Sequence, residues 1–171
     1  LFLDMVSLIP KKSWKDRGLR PDLAESTAAL KPAFLRFPGG CWVEGENLSR
    51  MYNWKKTIGA VDARTPLYNI WEYYATHGLG YHEYLQLCED LGADPLFVIN
   101  CGMSHNDVIP LANMSEYVQD ALDAIEYANG ATNTTWGALR AANGHPAPFN
   151  LKYLEVGNEN GGANYNDRYA L

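Results

Sequence analysis

Four short apolar runs, each bounded by proline, glycine or asparagine and separated by enough chain for a helix, restrict what this sequence can fold into. They are residues 2–8 (FLDMVSL), 33–37 (AFLRF), 95–100 (PLFVIN) and 151–156 (LKYLEV), and their length and punctuation predict strands. Helical spacing fills the intervals. Residues 21–30 begin with Pro21 at a first helical position and place Leu23, Thr27 and Leu30 on one face. Residues 81–91 put Tyr81, Tyr84, Leu85, Cys88 and Leu91 on one stripe and stop at Gly92. Residues 115–128 carry Val118, Leu122 and Ile125 on one stripe, with Ser115 or Asn113 as the N-cap, Glu116 in the first turn and Asn129-Gly130 as the stop. A shorter helix is expected around residues 136–142.

Strands alternating with helices imply parallel pairing through right-handed crossovers. A doubly wound sheet and half of a (β/α)8 barrel both satisfy that order. The glycine-rich phosphate fingerprint of a nucleotide-binding sheet is missing after the first run, where Ser7-Leu-Ile-Pro-Lys-Lys12 follows. The chemically active residues instead follow strand after strand at the same end: Arg36 to Gly40, Asn100 to Gly102 and Gly157 to Asn160. That is the pattern of a barrel mouth. The expectation is an α/β fold, the first half of a (β/α)8 TIM barrel with about four βα units. Residues 1–171 would then be part of one catalytic domain, cut at both ends, since the sequence starts in mid-strand and stops just into a helix.

Composition narrows the class of partner. The formal charge of −6 and the pI of about 5.1 argue against nucleic acid, and no apolar run approaches the roughly 20 residues needed to cross a bilayer. Cys41, Cys88 and Cys101 are an odd count without metal-ligand spacing, so neither a disulfide framework nor a metal is expected and the redox compartment stays open. Three sequons (Asn47, Asn113 and Asn133) would matter only in a eukaryotic secretory setting.

Two stretches carry chemistry. In Leu151-Lys-Tyr-Leu-Glu-Val-Gly-Asn-Glu-Asn160 a buried strand ends at Gly157, and the amide of Asn158 stands beside the carboxyl of Glu159. That pairing offers a neutral hydrogen-bonding group for a hydroxylated ligand next to a group able to give and take a proton. In Phe34-Leu-Arg-Phe-Pro-Gly-Gly-Cys-Trp42 a permanent charge, Arg36, sits inside an apolar strand. Its placement is costly unless it meets a carboxylate, which it would hold ionised. A purely structural ion pair is the plainer reading. A loop of about 35 residues, from Cys41 to about Thr76, then carries Trp42, Glu44, Glu46, Trp54 and Trp71. Its glutamates are expected to be solvated. Cys101 with His105 resembles a nucleophile pair without an orienting third group. His77 and His82 are isolated, and His145 before Pro146 belongs to a turn.

Arg36-Phe-Pro-Gly-Gly with Trp42-Val-Glu-Gly-Glu46, then Leu154-Glu-Val-Gly-Asn-Glu-Asn160, resembles glycoside hydrolase family 51, the α-L-arabinofuranosidases. The likeness extends through Gly78-Leu-Gly, Cys88-Glu-Asp-Leu-Gly-Ala and Asn143-Gly-His-Pro, covering essentially the whole chain. It implies a retaining two-step hydrolysis that releases terminal arabinofuranose from hemicellulose or pectin side chains, with no metal or cofactor. Glu159 would be the catalytic acid/base. Asn158, Arg36, Trp71 and Cys41 would form the substrate-binding set, with Asn158 on the 2-hydroxyl and Arg36 supporting the nucleophile region. The nucleophile itself, at a seventh strand, would lie outside this sequence. The implied partner is an arabinose-containing polysaccharide or oligosaccharide, and a homo-oligomer of the complete enzyme is left open. Another retaining barrel glycosidase, an endoglucanase or a xylosidase, and a non-catalytic carbohydrate-binding module are the competing readings.

Overall fold

The computed structural model describes residue 6 and residues 11–171; the run expected to form a strand at 2–8 lies outside the described residues except for its exposed Val6. In chain order the elements are α1 (Pro21–Ala29), β1 (Phe34–Phe37), α2 (Gly40–Glu44), β2 (Leu67–Tyr68), β3 (Tyr74–Ala75), α3 (Tyr81–Leu91), β4 (Asp94–Ile99), α4 (Ser115–Asn129), α5 (Thr135–Ala142), β5 (Tyr153–Val156) and α6 (Gly162–Tyr169). Strands β1, β4 and β5 make one parallel sheet in that spatial order. Phe37 is in register with Phe97, and Phe97 with Leu154. The three strands anticipated between residues 33 and 156 are therefore present and parallel, joined by helices as the alternation requires.

Alternation along each strand sends successive side chains to opposite faces. Leu35, Phe37, Phe97 and Leu154 pack into a layer of rings behind the sheet, formed mainly by α3 and α4. Tyr81 lies 4.2 Å from Phe97 between ring centroids, Phe37 stacks on Tyr84 at 4.8 Å, and Trp54 bridges Tyr81, Tyr127 and Trp136. Each phenol buried there finds an acceptor: Tyr81 donates to the Ala124 carbonyl and Tyr84 to the Leu35 carbonyl. Burial pushes both phenols well above their ordinary range, so they serve as fixed donors and not as acids.

Helix α3 matches its expected span, and Gly92 ends it in the left-handed conformation at φ 69°. The other helices depart from expectation in detail. Leu23 of α1 and Leu30 at its C-cap face solvent while Ala24 is buried. A 3-10 turn at Leu111–Asn113 runs straight into α4, so Met114 takes the cap position without a side-chain bond, and neither Ser115 nor Asn113 caps the helix. The stripe of Val118, Leu122 and Ile125 is not the buried one. Ala121, Ala124, Tyr127 and Ala128 are what α4 turns inward, because small residues let it come close beneath the crowded rings.

The expected structureless stretch of residues 41–76 is also corrected. It contains α2, 3-10 turns at Leu48–Arg50, Trp54–Thr57 and Val61–Ala63, and the β2–β3 hairpin. Asn53 caps the second turn through the Lys55 amide, and buried Arg64 forks onto Glu83 while donating to the carbonyls of Gly59 and His77. The loop holds its shape through these polar ties.

Two features place β5. Arg140, wholly buried, donates to the carbonyls of Tyr127, His145 and Pro146 and anchors the segment leading into the strand. Asn129 then brackets Leu151, donating to its carbonyl and accepting from its amide. The end of β5 is thereby set relative to α4 before any functional residue is reached.

Candidate active site

At the carboxyl ends of the three parallel strands the chain collects charge and amides where the other face has rings. Arg36 is paired in register with Leu96, and Glu155 with Val98. Leu96 and Val98 are two residues apart, so Arg36 and Glu155 share a face and meet across β4. The guanidinium makes two bonds of 2.6 Å to the two oxygens of Glu155. The carboxylate sought as the partner of Arg36 is thus on the outer strand of the same sheet. That fork holds the Glu155 carboxyl below its ordinary value, chiefly through the hydrogen bonds from Arg36.

Arg36 also donates to Asn158 Oδ1 at 2.9 Å. The same amide donates from Nδ2 to Glu44 Oε2 at 3.0 Å, and Asn160 donates to Glu44 Oε1 at 3.0 Å. Asn160 closes the circuit by accepting from the Asn158 backbone amide at 2.9 Å and from the Cys101 thiol. Glu44 is 6% exposed, which corrects the expectation that the loop glutamates are solvated. Helix α2 carries it inward beside the two asparagines, whereas Glu46 pairs with Arg50 at a partly exposed position.

Two glycines make the close approach geometrically available. A Cβ on Gly39 (φ 61°) would lie 2.4 Å from Arg36 Nη1, and one on Gly157 (φ 75°) would lie 2.4 Å from Asn160 Oδ1. Glu159 follows in the left-handed region at φ 47°. Few non-glycine residues adopt that conformation; Lys15, Asp16, Lys31, Glu72, His77 and Asn150 also do so in this chain. The Glu159 side chain is exposed, and the residue lines an open cleft with Glu155, Asn158 and Asn160. Its charge helps keep Arg36 protonated, and it joins burial and Glu44 in pushing the Cys41 thiol up.

Of the residues singled out in the sequence, Arg36, Asn158, Glu159 and Cys41 are brought together. Trp71 is not joined to them. It sits 53% exposed at the tip of the β2–β3 hairpin, held by its backbone amide to Asn69 Oδ1. Glu44 and Asn160 were given no functional part by sequence reasoning. The available signal was an acid directly before Gly45, whose backbone lies against Arg50 so tightly that a Cβ there would stand 2.6 Å away.

Cys101 cannot act with His105 as a nucleophile pair in this arrangement. Its thiol is buried, pushed up by that burial and committed to Asn160, while His105 lies 3.4 Å from Glu44. His82 is buried against Tyr127. Cys41, Glu44 and His105 present ligand atoms within 4.8 Å of one another, the one such grouping among the described residues. Its carboxylate oxygens are already engaged by Asn158 and Asn160.

Comparison with known proteins gives a consistent family. The alpha-L-arabinofuranosidase 1 domain matches residues 26–171. The chain is 49% identical over 160 residues to alpha-L-arabinofuranosidase 2 of Arabidopsis thaliana, covering 93% of this chain and 24% of that protein. It is 46% identical to an extracellular exo-alpha-L-arabinofuranosidase of Streptomyces chartreusis, covering 92% and 21% respectively. A solved arabinose-bound α-L-arabinofuranosidase of glycoside hydrolase family 51 superposes with a TM-score of 0.83 at 39% identity, over 86% of this chain and 24% of that one. The chain therefore spans about a quarter of the length of the relatives it matches.

Proposed function

This chain belongs to the α-L-arabinofuranosidase family of glycoside hydrolases, and from that premise we propose that it supplies the acid/base half of a retaining arabinofuranosidase barrel, with Glu159 as the proton donor and acceptor. The observation that carries the reading is the polar circuit at the end of β5. Glu159 stands between two asparagines whose amides are each held by Glu44.

In the proposed reaction Glu159 protonates the glycosidic oxygen as the bond to the anomeric carbon breaks, and a second carboxylate, from outside this segment, takes that carbon. Glu159 then removes a proton from the water that releases arabinose. The two carboxyl groups must stand about 5–5.5 Å apart for this outcome. Asn158 contacts the ring 2-hydroxyl, and Cys41 lies on the rim of the same pocket. Arg36, neutralised by Glu155, gives that pocket a fixed dipole and no free cation. Trp71, on its hairpin, would contact the sugar only from the outer margin. The arabinose bound by the solved relative supports a substrate that ends in an arabinofuranosyl group, and the proposed carriers of that group are hemicellulose or pectin side chains.

The test is Glu159→Gln in the complete protein, assayed on aryl arabinofuranosides. Rates on poor leaving groups should fall about 10²- to 10⁴-fold. On activated leaving groups the first step should survive, and added azide should restore turnover. Unchanged rates on poor leaving groups would remove Glu159 from the chemistry. Sugar binding without turnover in the unmodified protein would favour the binding-module reading.

A further inference from the structure

We infer that Glu44 is a positioning residue that fixes which side of the Asn158 amide faces the sugar; the inference rests on the functional reading above. An arginine can only donate, and an ionised carboxylate can only accept. With Arg36 on one side at 2.9 Å and Glu44 on the other at 3.0 Å, the amide has a single orientation that satisfies both. Its oxygen turns to Arg36 and its nitrogen to Glu44.

One N–H of Asn158 is then left over, and it is a donor. Its complement is a lone pair on a ring hydroxyl. Had the amide been free to turn over, the pocket could have presented either polarity. Arg36 and Glu44 together remove that choice, and Glu44 is the one that holds the nitrogen side.

The same carboxylate takes the amide of Asn160, whose oxygen in turn accepts from the backbone N–H of Asn158. Residues 158 and 160 are thus fastened to one buried group, with Glu159 between them. Cys101 adds its S–H to the Asn160 oxygen. Both side-chain polar atoms of Asn160 are engaged internally, so its role is to hold its neighbours. Besides the two asparagines, Glu44 meets the partly exposed His105, 3.4 Å from its Oε2. The influence of Glu44 passes through Asn158.

Glu44→Gln preserves the volume but replaces one acceptor with a donor, so one asparagine amide must face another N–H. In the complete protein this should lower kcat/KM about 10- to 100-fold on good and poor leaving groups alike. Glu159→Gln, by contrast, should be leaving-group dependent. The decisive substrate is the 2-deoxy arabinofuranoside. The penalty for removing the hydroxyl should be large in the unmodified enzyme and should shrink in Glu44→Gln, because the contact is already misdirected.

Glu44→Gln combined with Asn160→Asp restores complementarity. The glutamine oxygen accepts from Asn158, its nitrogen donates to the new carboxylate, and that carboxylate still accepts the Asn158 backbone N–H. Activity and the 2-hydroxyl dependence should return together. Three results would overturn the role: an unaffected Glu44→Gln, an undiminished 2-deoxy penalty in it, or a double variant that stays slow or fails to fold. None of these touches the leaving-group behaviour of Glu159→Gln, so the two readings stand or fall separately.

Discussion

The two faces of the three-stranded sheet are built on opposite principles. Behind it lies a layer of aromatic rings, in which each buried phenol is tied to a backbone carbonyl or to neighbouring side chains. At the carboxyl ends and on the front, Arg36, Asn158, Glu44 and Asn160 form a polar run in which each is bonded to two others, with Glu155 bonded to Arg36 at its end. A ring can be lost from the first layer without disturbing the polarity of the second. An acceptor lost from the second leaves one N–H facing another. Stability therefore resides mainly behind the sheet, and the proposed chemistry in front of it.

The largest test of that division is Phe97→Ala. It removes the ring at the centre of the layer and should cost about 3–5 kcal/mol in denaturant melts. A loss below about 1 kcal/mol would show that the rings are not the core.

Next comes pH. Burial lowers the pKa of His82 from 6.5 to about 4. The unfolded chain takes up that proton near pH 6.5, whereas the folded protein resists it until about pH 4. Stability from this group is therefore complete above pH 6.5, declines as the pH falls through that window and levels off below it, by roughly 3 kcal/mol in all. His82→Asn should flatten that slope in a series of melts. The front face answers in a lower window. Glu155, held below its ordinary 4.5 by Arg36, contributes stability above that value and loses it only as the pH falls through the lowered one.

The smallest effect is expected at Leu122→Lys. Leu122 is 53% exposed on the outer stripe of α4, so the described segment should change by no more than about 0.5 kcal/mol. A loss above 1 kcal/mol would mean that this stripe is covered in solution.

The alternation of strands and helices was legible because it rests on local signals. Pro21, Gly92 and the apolar runs around Leu35, Phe97 and Leu154 each mark their element without reference to the rest. Which face of α4 is buried was not legible. Periodicity ranks Leu122 above Ala124 by size, while close packing beneath Trp54 and Tyr127 selects the smaller residue. In the site, Arg36 announced itself as a charge in an apolar strand, and Glu159 by its place after a strand-ending glycine. Glu44 gave no comparable signal. Its burial depends on a five-residue helix with two glycine caps, and its partners are 114 and 116 positions away. Separations of that kind leave no periodic trace.

The guanidinium of Arg36 occupies the space that any side chain at position 39 would need. A side chain at 39 would have to push that guanidinium aside, while replacing the arginine would leave Glu155 without its fork and Asn158 with Glu44 as its remaining side-chain partner. A change at either position is therefore felt at the other, and the charged strand and Gly39 form one mechanical unit.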